Sequence, residues 1–483
     1  MALPKWMGFD CEWGNALLGR SLPRDSSVRA SLLLLEAVRP HGVRLDQNRA
    51  LPRAIPEEGI DLALTPPAPL CRAAREGEYG RTWMLDRCPG SCAYVDLGHF
   101  ETCSPEVSSA RELLLSWTAW RYALEEARRV AQGWLPRGVS LWASASLTDG
   151  GVCWGHHTNT LVSAELWKGL MKPGPVQAGY LAFAVSSILV GGAGGWSAEG
   201  PTLTQRGRFL ETIVGVDTTG CTGPRPIINS RREPFARGRE RYHAILHDSP
   251  LAPLTFLLSR GLHALALALL EDRPRALADL ELADPIRALH EWDRDPSLRA
   301  TARLADGRRF TLVEMGREIH ARFHRYLDEE DAETSVPGAR DLVERFGETL
   351  DLCARGDRER LARRIQWVLR HRVLERVRGG MEGEEARMID QCFDALDPEC
   401  GIYVHLEAEG ASEGLPARAD VERFLHEAPR GRAAWRSAIL GRMRDEVVAA
   451  NWNVVETLGS RGRRRHVYDG PDGARLERRT QTS

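Results

Sequence analysis

Near its start the chain reads Gly8-Phe9-Asp10-Cys11-Glu12-Trp13-Gly14, acidic residues alternating with apolar ones. Alternation of this kind predicts a strand with one buried face, and it gathers Asp10 and Glu12 on the other. A second stretch repeats the pattern with Tyr94 and Asp96, and His99, Glu101 and Glu106 follow closely. If the two strands are neighbours, several carboxylates share one sheet face, which is costly to bury unless a cation neutralises them. Hard oxygen ligands favour Mg²⁺ or Mn²⁺, which would bridge to nucleotide phosphates. The competing reading is a polar, solvated sheet face, and spacing alone does not choose between them.

The rest of the chain predicts an α+β protein, a mostly antiparallel sheet with helices on one side. At 483 residues it exceeds one small core, and a large domain at 1–380 is expected, with a small C-terminal domain at 385–460 and a basic, poorly patterned, flexible tail at 461–483. The span from about 15 to 90 is rich in Pro, Arg and Gly, and its centre at 54–69 reads as mobile loop. Residues 108–132 read as a helix, with Leu113, Trp117, Trp120, Leu124 and Ala127 at helical spacing and Ser108 as its cap. Residues 251–378 are mainly helical.

A formal net charge of −2 gives no field toward nucleic acid or an anionic membrane. The uncharged stretch 178–196 is nearly long enough to span a bilayer, but it contains Ser186-Ser187 and ends in a glycine run, which suits a buried helix entering a turn. No signal-like segment is evident, so a reducing cytoplasm and free thiols are expected. Cys88 and Cys92 have no second pair at zinc-ligand spacing. His156 and His157, adjacent in a strand, point opposite ways, so one at most faces a site.

A third segment, Arg225-Pro226-Ile227-Ile228-Asn229-Ser230-Arg231-Arg232-Glu233-Pro234, places arginines around an apolar strand. They suit a phosphate clamp or, equally, ordinary edge-strand charges. Together these motifs resemble those of the bacterial Pup ligases and Pup deamidases/depupylases. That superfamily opens with Gly-x-Glu-x-Glu-Tyr/Phe-Gly, similar to residues 8–14. Its Tyr-x-Asp…His-Pro-Glu…Pro-Glu segment resembles Tyr94, Asp96, His99-Phe100-Glu101 and Pro105-Glu106. Its Tyr-Gly-x-His-Glu-Asn resembles Trp154-Gly155-His156-His157-Thr158-Asn159, and Ser-Gln-Arg resembles Thr204-Gln205-Arg206. Its Ile-Ile-Asn-Thr-Arg-Asp-Glu-Pro is nearly repeated at 227–234, and segments at 432–436 and 450–452 resemble its C-terminal domain.

The resemblance implies a glutamine-synthetase-like curved sheet that binds ATP (or ADP plus phosphate) and Mg²⁺ beside a groove for a Pup-like modifier and its conjugates. It implies Asp96 as the catalytic carboxylate and Asp10, Glu12, Tyr94, Glu101 and His157 as metal ligands. Ser104, Arg206, Arg225, Arg231 and Trp452 are implied nucleotide contacts, and Asn229, Glu233, Arg432 and Arg436 substrate contacts. Departures are Asp10 for Glu, Cys92 for an Arg, Thr158 for Glu, and the loss of a later Arg-Arg-Leu-His. The deamidase/depupylase branch carries an extra loop between the first two motifs, and here Glu12 and Asp96 lie 84 positions apart. An amidohydrolase of that branch is therefore expected. The alternatives are a carboxylate–amine ligase, against which the loop length speaks, and a non-catalytic tag or nucleotide binder, which the departures motivate.

Overall fold

The computed structural model describes residues 2–19, 26–44, 79–96, 98–149, 152–197, 199–218, 223–236, 239–378, 383–460, 462–469 and 474–479. Its centre is a nine-stranded sheet. The strands are β1 (Met7–Leu18), β2 (Gly42–Arg44), β3 (Tyr79–Met84), β4 (Cys92–Asp96), β5 (His99–Cys103), β6 (Ser140–Ser144), β7 (His156–Ser163), β8 (Glu233–Ala236) and β9 (Arg239–Ala244). They run in the order β8-β9-β7-β1-β5-β4-β3-β2, with β6 against the C-terminal half of β1, and each of these pairs is antiparallel.

The odd positions of β1 bury their side chains as the alternation predicts. Phe9, Cys11 and Trp13 are buried against helices α1 (Ser26–Val38) and α2 (Ala110–Gln132). Trp117 of α2 stacks on Trp13 at 4.9 Å and meets Phe9 edge-on at 5.7 Å. The five apolar α2 residues picked out by spacing are all buried, each contributing roughly 1–3 kcal/mol of transfer free energy. The cap differs by one position from expectation. Ser109 accepts from the Glu112 N–H, while the N–H and hydroxyl of Ser108 both donate to the Glu112 carboxylate, so both serines satisfy the helix start.

Behind these lie α3 (Pro175–Ser186) and α4 (Pro253–Asp272). The uncharged stretch seen in the sequence is helical at Pro175–Ser186 and Ile188–Gly191, and with Ala164–Leu170 it forms an apolar helix pair bent by 75°. α4 is long and apolar enough to cross a membrane, but its most apolar stretch is 94% buried inside the protein. Helices Leu312–Glu329, Ala339–Arg355 and Gln366–Arg378 complete this layer.

The opposite, even-numbered sheet face is half covered. Helix α6 (Arg432–Arg442) and a four-stranded sheet of β10 (Val447–Ala450), β11 (Val454–Gly459), β12 (Gly462–Asp469) and β13 (Ala474–Arg479) form the C-terminal unit; α5 is Gly383–Cys392. Trp435, Leu440, Val455 and Tyr468 pack on Trp83, Cys92 and Cys103. Gly90, at φ +84°, lets α6 approach, since a Cβ there would sit 2.8 Å from that of Ala433.

One expectation needs correction. The basic tail is not unpatterned: β12 and β13 pair within it, His466 and Tyr468 turn inward, and Arg463 and Arg465 turn out. The arginine run masked that alternation. The Pro-, Arg- and Gly-rich span at 15–90 carries the end of β1, α1, β2 and β3, while the loop expected at its centre, 54–69, lies outside the described residues.

Candidate active site

Strand register brings the acids together. Glu12 faces Glu101 across β1 and β5, and Tyr94 faces Glu101 across β4 and β5. Asp10 sits between Cys103 and His157, and Asp96 lies opposite His99 at the end of the β4–β5 hairpin. All are on the even-numbered face of β1. His156 lies on the other face, among the rings of Phe9, Trp117 and Phe256, so only His157 looks into the site.

The electrostatics of this face are unbalanced. Burial, then the charges of Glu12, Asp10 and Asp96, push the Glu101 carboxyl well above the usual range. Burial, followed by the nearby Cys103 and Glu101, likewise raises the Tyr94 hydroxyl. The Glu12 carboxylate accepts from the Gly155 N–H at 2.5 Å, and Asp10 accepts from the Asn159 amide at 2.8 Å. Arg241 approaches Asp10 at 3.7 Å. A hard divalent cation fits such a donor set, because it offers the positive charge that one flanking arginine cannot.

Sequence reasoning missed one member of the site. Asp10, His157 and His243 hold ligand atoms within 4.8 Å of one another. Burial holds both imidazoles neutral, His243 down to about 3 and His157 well below its usual value, so their ring nitrogens keep a lone pair for a cation. The His243 ring nitrogen also meets the Asn159 amide oxygen at 2.7 Å. The signal was present: Arg241-Tyr242-His243 keeps two residues of the segment counted as lost, at the period of two that faces both toward Asp10. The replaced position Thr158 pairs with Phe9 and is fully buried. It therefore looks into the helical core, and its substitution takes no ligand from the acidic face.

Beside the acids lies Arg206, 1% exposed. Its three guanidinium nitrogens have no hydrogen-bond partner among the described residues. It lies so close to Gly155 that a Cβ there would meet Arg206 at 2.8 Å. A buried, unengaged guanidinium fits an anion such as a phosphate group. Arg225 stacks over Phe209 and donates from Nε to the Thr218 carbonyl at 2.8 Å, and burial, then Arg206, lower its pKa. Arg231 is exposed, near enough to His157 and His243 to lower both.

A cavity of about 250 Å³ opens between the sheet and the C-terminal unit. Asp10, Ser104 and Asn159 line one side and Arg432, Asn451 and Trp452 the other. Ser104 Oγ accepts from the Phe9 N–H at 2.8 Å.

Three of the expected substrate contacts have partners within the chain. The Arg432 and Arg436 guanidinium groups bind Glu106 at 2.6 and 3.1 Å. Arg436, fully buried, also donates to the Gly90 and Trp452 carbonyls and lies over the rings of Trp83 and Trp452. It is an anchor for the C-terminal unit, and Arg432 reaches the cavity while sharing the same carboxylate. Asn229 is buried, and its side-chain oxygen accepts the Arg231 N–H at 2.8 Å, which shapes the local turn. The Glu233 side chain lies outside the described residues.

A family model for the Pup-ligase protein matches residues 72–456. The chain belongs to this family. The depupylase of Acidothermus cellulolyticus is 32% identical over 381 residues, covering 76% of this chain and 73% of that protein. The Pup deamidase/depupylase of Mycolicibacterium smegmatis is 32% identical over 380 residues, with 76% and 74% covered. A Pup–protein ligase from Acidimicrobium ferrooxidans is 29% identical over 379 residues, with 75% and 80% covered. Among solved structures, the ligase PafA in complex with Pup superposes with a TM-score of 0.72 at 19% identity, covering 94% of this chain and 86% of that one. The sheet with its one-sided helical layer is thus the α+β, glutamine-synthetase-like fold expected.

Proposed function

We propose that this protein is an ATP- and Mg²⁺-dependent amidohydrolase that cleaves the side-chain amide or isopeptide of a Pup-like protein tag, with Asp96 as its catalytic carboxylate. The observation that carries the reading is the convergence of Asp10, Glu12, Asp96 and Glu101 on one sheet face beside the buried guanidinium of Arg206. The hydrolytic branch is supported by relatives named depupylase and Pup deamidase/depupylase and by the long interval between Glu12 and Asp96. The catalytic unit is taken as 1–380, with 385–460 closing the nucleotide cavity.

Asp96 ends β4, half-exposed, where a tag's C-terminal side chain can reach it. Its carboxylate attacks the amide carbon or takes a proton from the attacking water. His99, across the hairpin, is held neutral by burial, down to about 3, so it puts no positive charge beside Asp96 near pH 7. Asp10, Glu12, Tyr94, Glu101 and His157, joined by His243, would hold the cation, and Arg206 and Arg225 the phosphates. Cation and nucleotide, when bound, supply the positive charge that stabilises developing oxyanion charge. Trp452 would pack on the nucleotide from the C-terminal unit.

The test is incubation of the purified protein with a Pup conjugate and with Pup ending in glutamine, with and without ATP and Mg²⁺, read by intact mass. Loss of the tag or deamidation that needs nucleotide supports the hydrolase. Conjugation of free Pup to a protein lysine would instead establish the ligase reading, and inert substrates would overturn both.

A further inference from the structure

Three buried aspartates, from separate parts of the chain, converge on the short segment 204–207 that carries Arg206. Asp293 closes the helix Pro285–Asp293, and its Oδ1 accepts both the N–H and the hydroxyl of Thr204, at 2.8 and 2.7 Å. Asp248 lies between β9 and α4. Its two oxygens accept the N–H groups of Ala193, Gln205 and Arg206 at 2.8, 3.0 and 3.1 Å. Asp394 follows α5 and accepts from the Gln205 side-chain amide at 2.7 Å, whose oxygen in turn accepts from the Ser146 hydroxyl at 2.6 Å. The Thr204 hydroxyl also accepts the Gly207 N–H at 2.8 Å, and a Cβ on Gly207 would come within 2.6 Å of that hydroxyl.

Such an arrangement is costly. The three aspartates are 1–3% exposed, and burial pushes each carboxyl up, that of Asp293 to about 7. Asp394 has a cation of its own, Arg370 at 2.7 Å. Among the described residues, Asp248 and Asp293 accept only from N–H and hydroxyl donors. Burying carboxylates without an ion-pair partner is unfavourable, and the chain concentrates that penalty on one segment. The grip falls on the backbone and the neighbours of Arg206, not on its guanidinium, whose three nitrogens stay without a hydrogen-bond partner among the described residues. A carboxylate paired with the guanidinium would have to be displaced before an anion could enter. Carboxylates that hold the backbone fix the fork and leave it open.

We propose that Asp248, Asp293 and Asp394 are positioning residues for Arg206, acting through the backbone of 204–206 and the Gln205 side chain to present an open guanidinium to a phosphate group of a bound nucleotide. The inference rests on Arg206 being an anion contact of the site proposed above. A fork held in place before the ligand arrives loses little side-chain freedom on binding. Loosening any one grip therefore weakens phosphate binding by way of Arg206 and by no other route.

The test is a double-mutant cycle on the full-length protein, with ADP and Mg²⁺ as the probe and affinity read by calorimetry beside Tm. The aspartates themselves are left in place, since removing a buried carboxylate endangers folding. Thr204→Val removes the hydroxyl that Asp293 and Gly207 share, and Gln205→Met removes the amide between Ser146 and Asp394. Each should weaken ADP binding about 3- to 10-fold in the wild-type background, the worth of one hydrogen bond. In the Arg206→Ala background each should cost less than about 2-fold, because both changes act through the same missing group. Thr204→Ser keeps the hydroxyl and should keep the wild-type affinity. Equal losses in both backgrounds, or a lowered Tm with full affinity, would overturn the positioning role. The site reading fails separately: a wild-type protein that binds no ADP, or an Arg206→Ala variant that binds it undiminished, would overturn that reading and the proposal with it.

Discussion

Glu101 and Glu106 are five residues apart and both buried, yet they meet opposite surroundings. Glu101 faces Glu12, Asp10 and Asp96, and burial together with these charges pushes its carboxyl up. Burial also pushes Glu106 up, but Arg432 and Arg436 outweigh it and hold that carboxyl below the usual range. Arg432 is itself lowered by burial, which Glu106 only partly offsets. Glu106 thus has its cations built into the chain and belongs to the architecture that clamps the C-terminal unit on the sheet. Glu101 has none among the described residues, and belongs to a face completed from outside. A buried carboxylate surrounded by carboxylates marks a site, and one surrounded by arginines marks a joint.

The comparison can be broken in several places. The largest effect is expected on the acidic face. Asp96→Asn should lower turnover roughly 10³-fold or more and leave Tm and nucleotide binding intact, checked by steady-state kinetics beside calorimetry. Arg206→Ala should weaken nucleotide binding by about 10- to 100-fold, the worth of charge-assisted hydrogen bonds at about 1.5–3 kcal/mol, read by the same calorimetry. Trp452→Ala should weaken it by roughly 10-fold through lost stacking at about 1–3 kcal/mol, with a smaller change in turnover. The smallest effect concerns pH. Glu106 has a folded pKa below its unfolded one, so its contribution is fully present above the ordinary carboxylate value of about 4.3 and is lost as pH falls through the lowered folded value. Acid melting should therefore begin with release of the C-terminal unit, seen as a change in Trp435 and Trp452 fluorescence.

Most of the acidic face was legible because a strand's period is fixed at two, so Asp10, Glu12, Tyr94 and Asp96 were placed by spacing and their pairing needed only neighbouring strands. The helix at 110–132 was equally plain from its apolar repeat. His243 escaped because its strand carries Arg239, Glu240 and Arg241, whose charges hide the alternation, and because contact with Asp10 depends on β7 lying between. The partner of Arg432 and Arg436 was hidden for a related reason. Sequence shows a charged side chain but not which partner it has found, and Glu106 is more than three hundred positions away. The basic tail misled because like charges stood at successive positions, while only His466 and Tyr468 report the buried face.

The contrast between a site and a joint is tested most directly by Glu101→Gln and Glu106→Gln side by side, each measured for depupylation rate and for Tm. Glu101→Gln is expected to lose about 100-fold or more in rate with Tm held. Glu106→Gln is expected to lose about 3–5 kcal/mol of stability, leaving buried arginines without their carboxylate, while its folded fraction keeps turning over below its Tm. A Glu101→Gln variant that retains full activity, or one that melts as early as Glu106→Gln, would contradict the account.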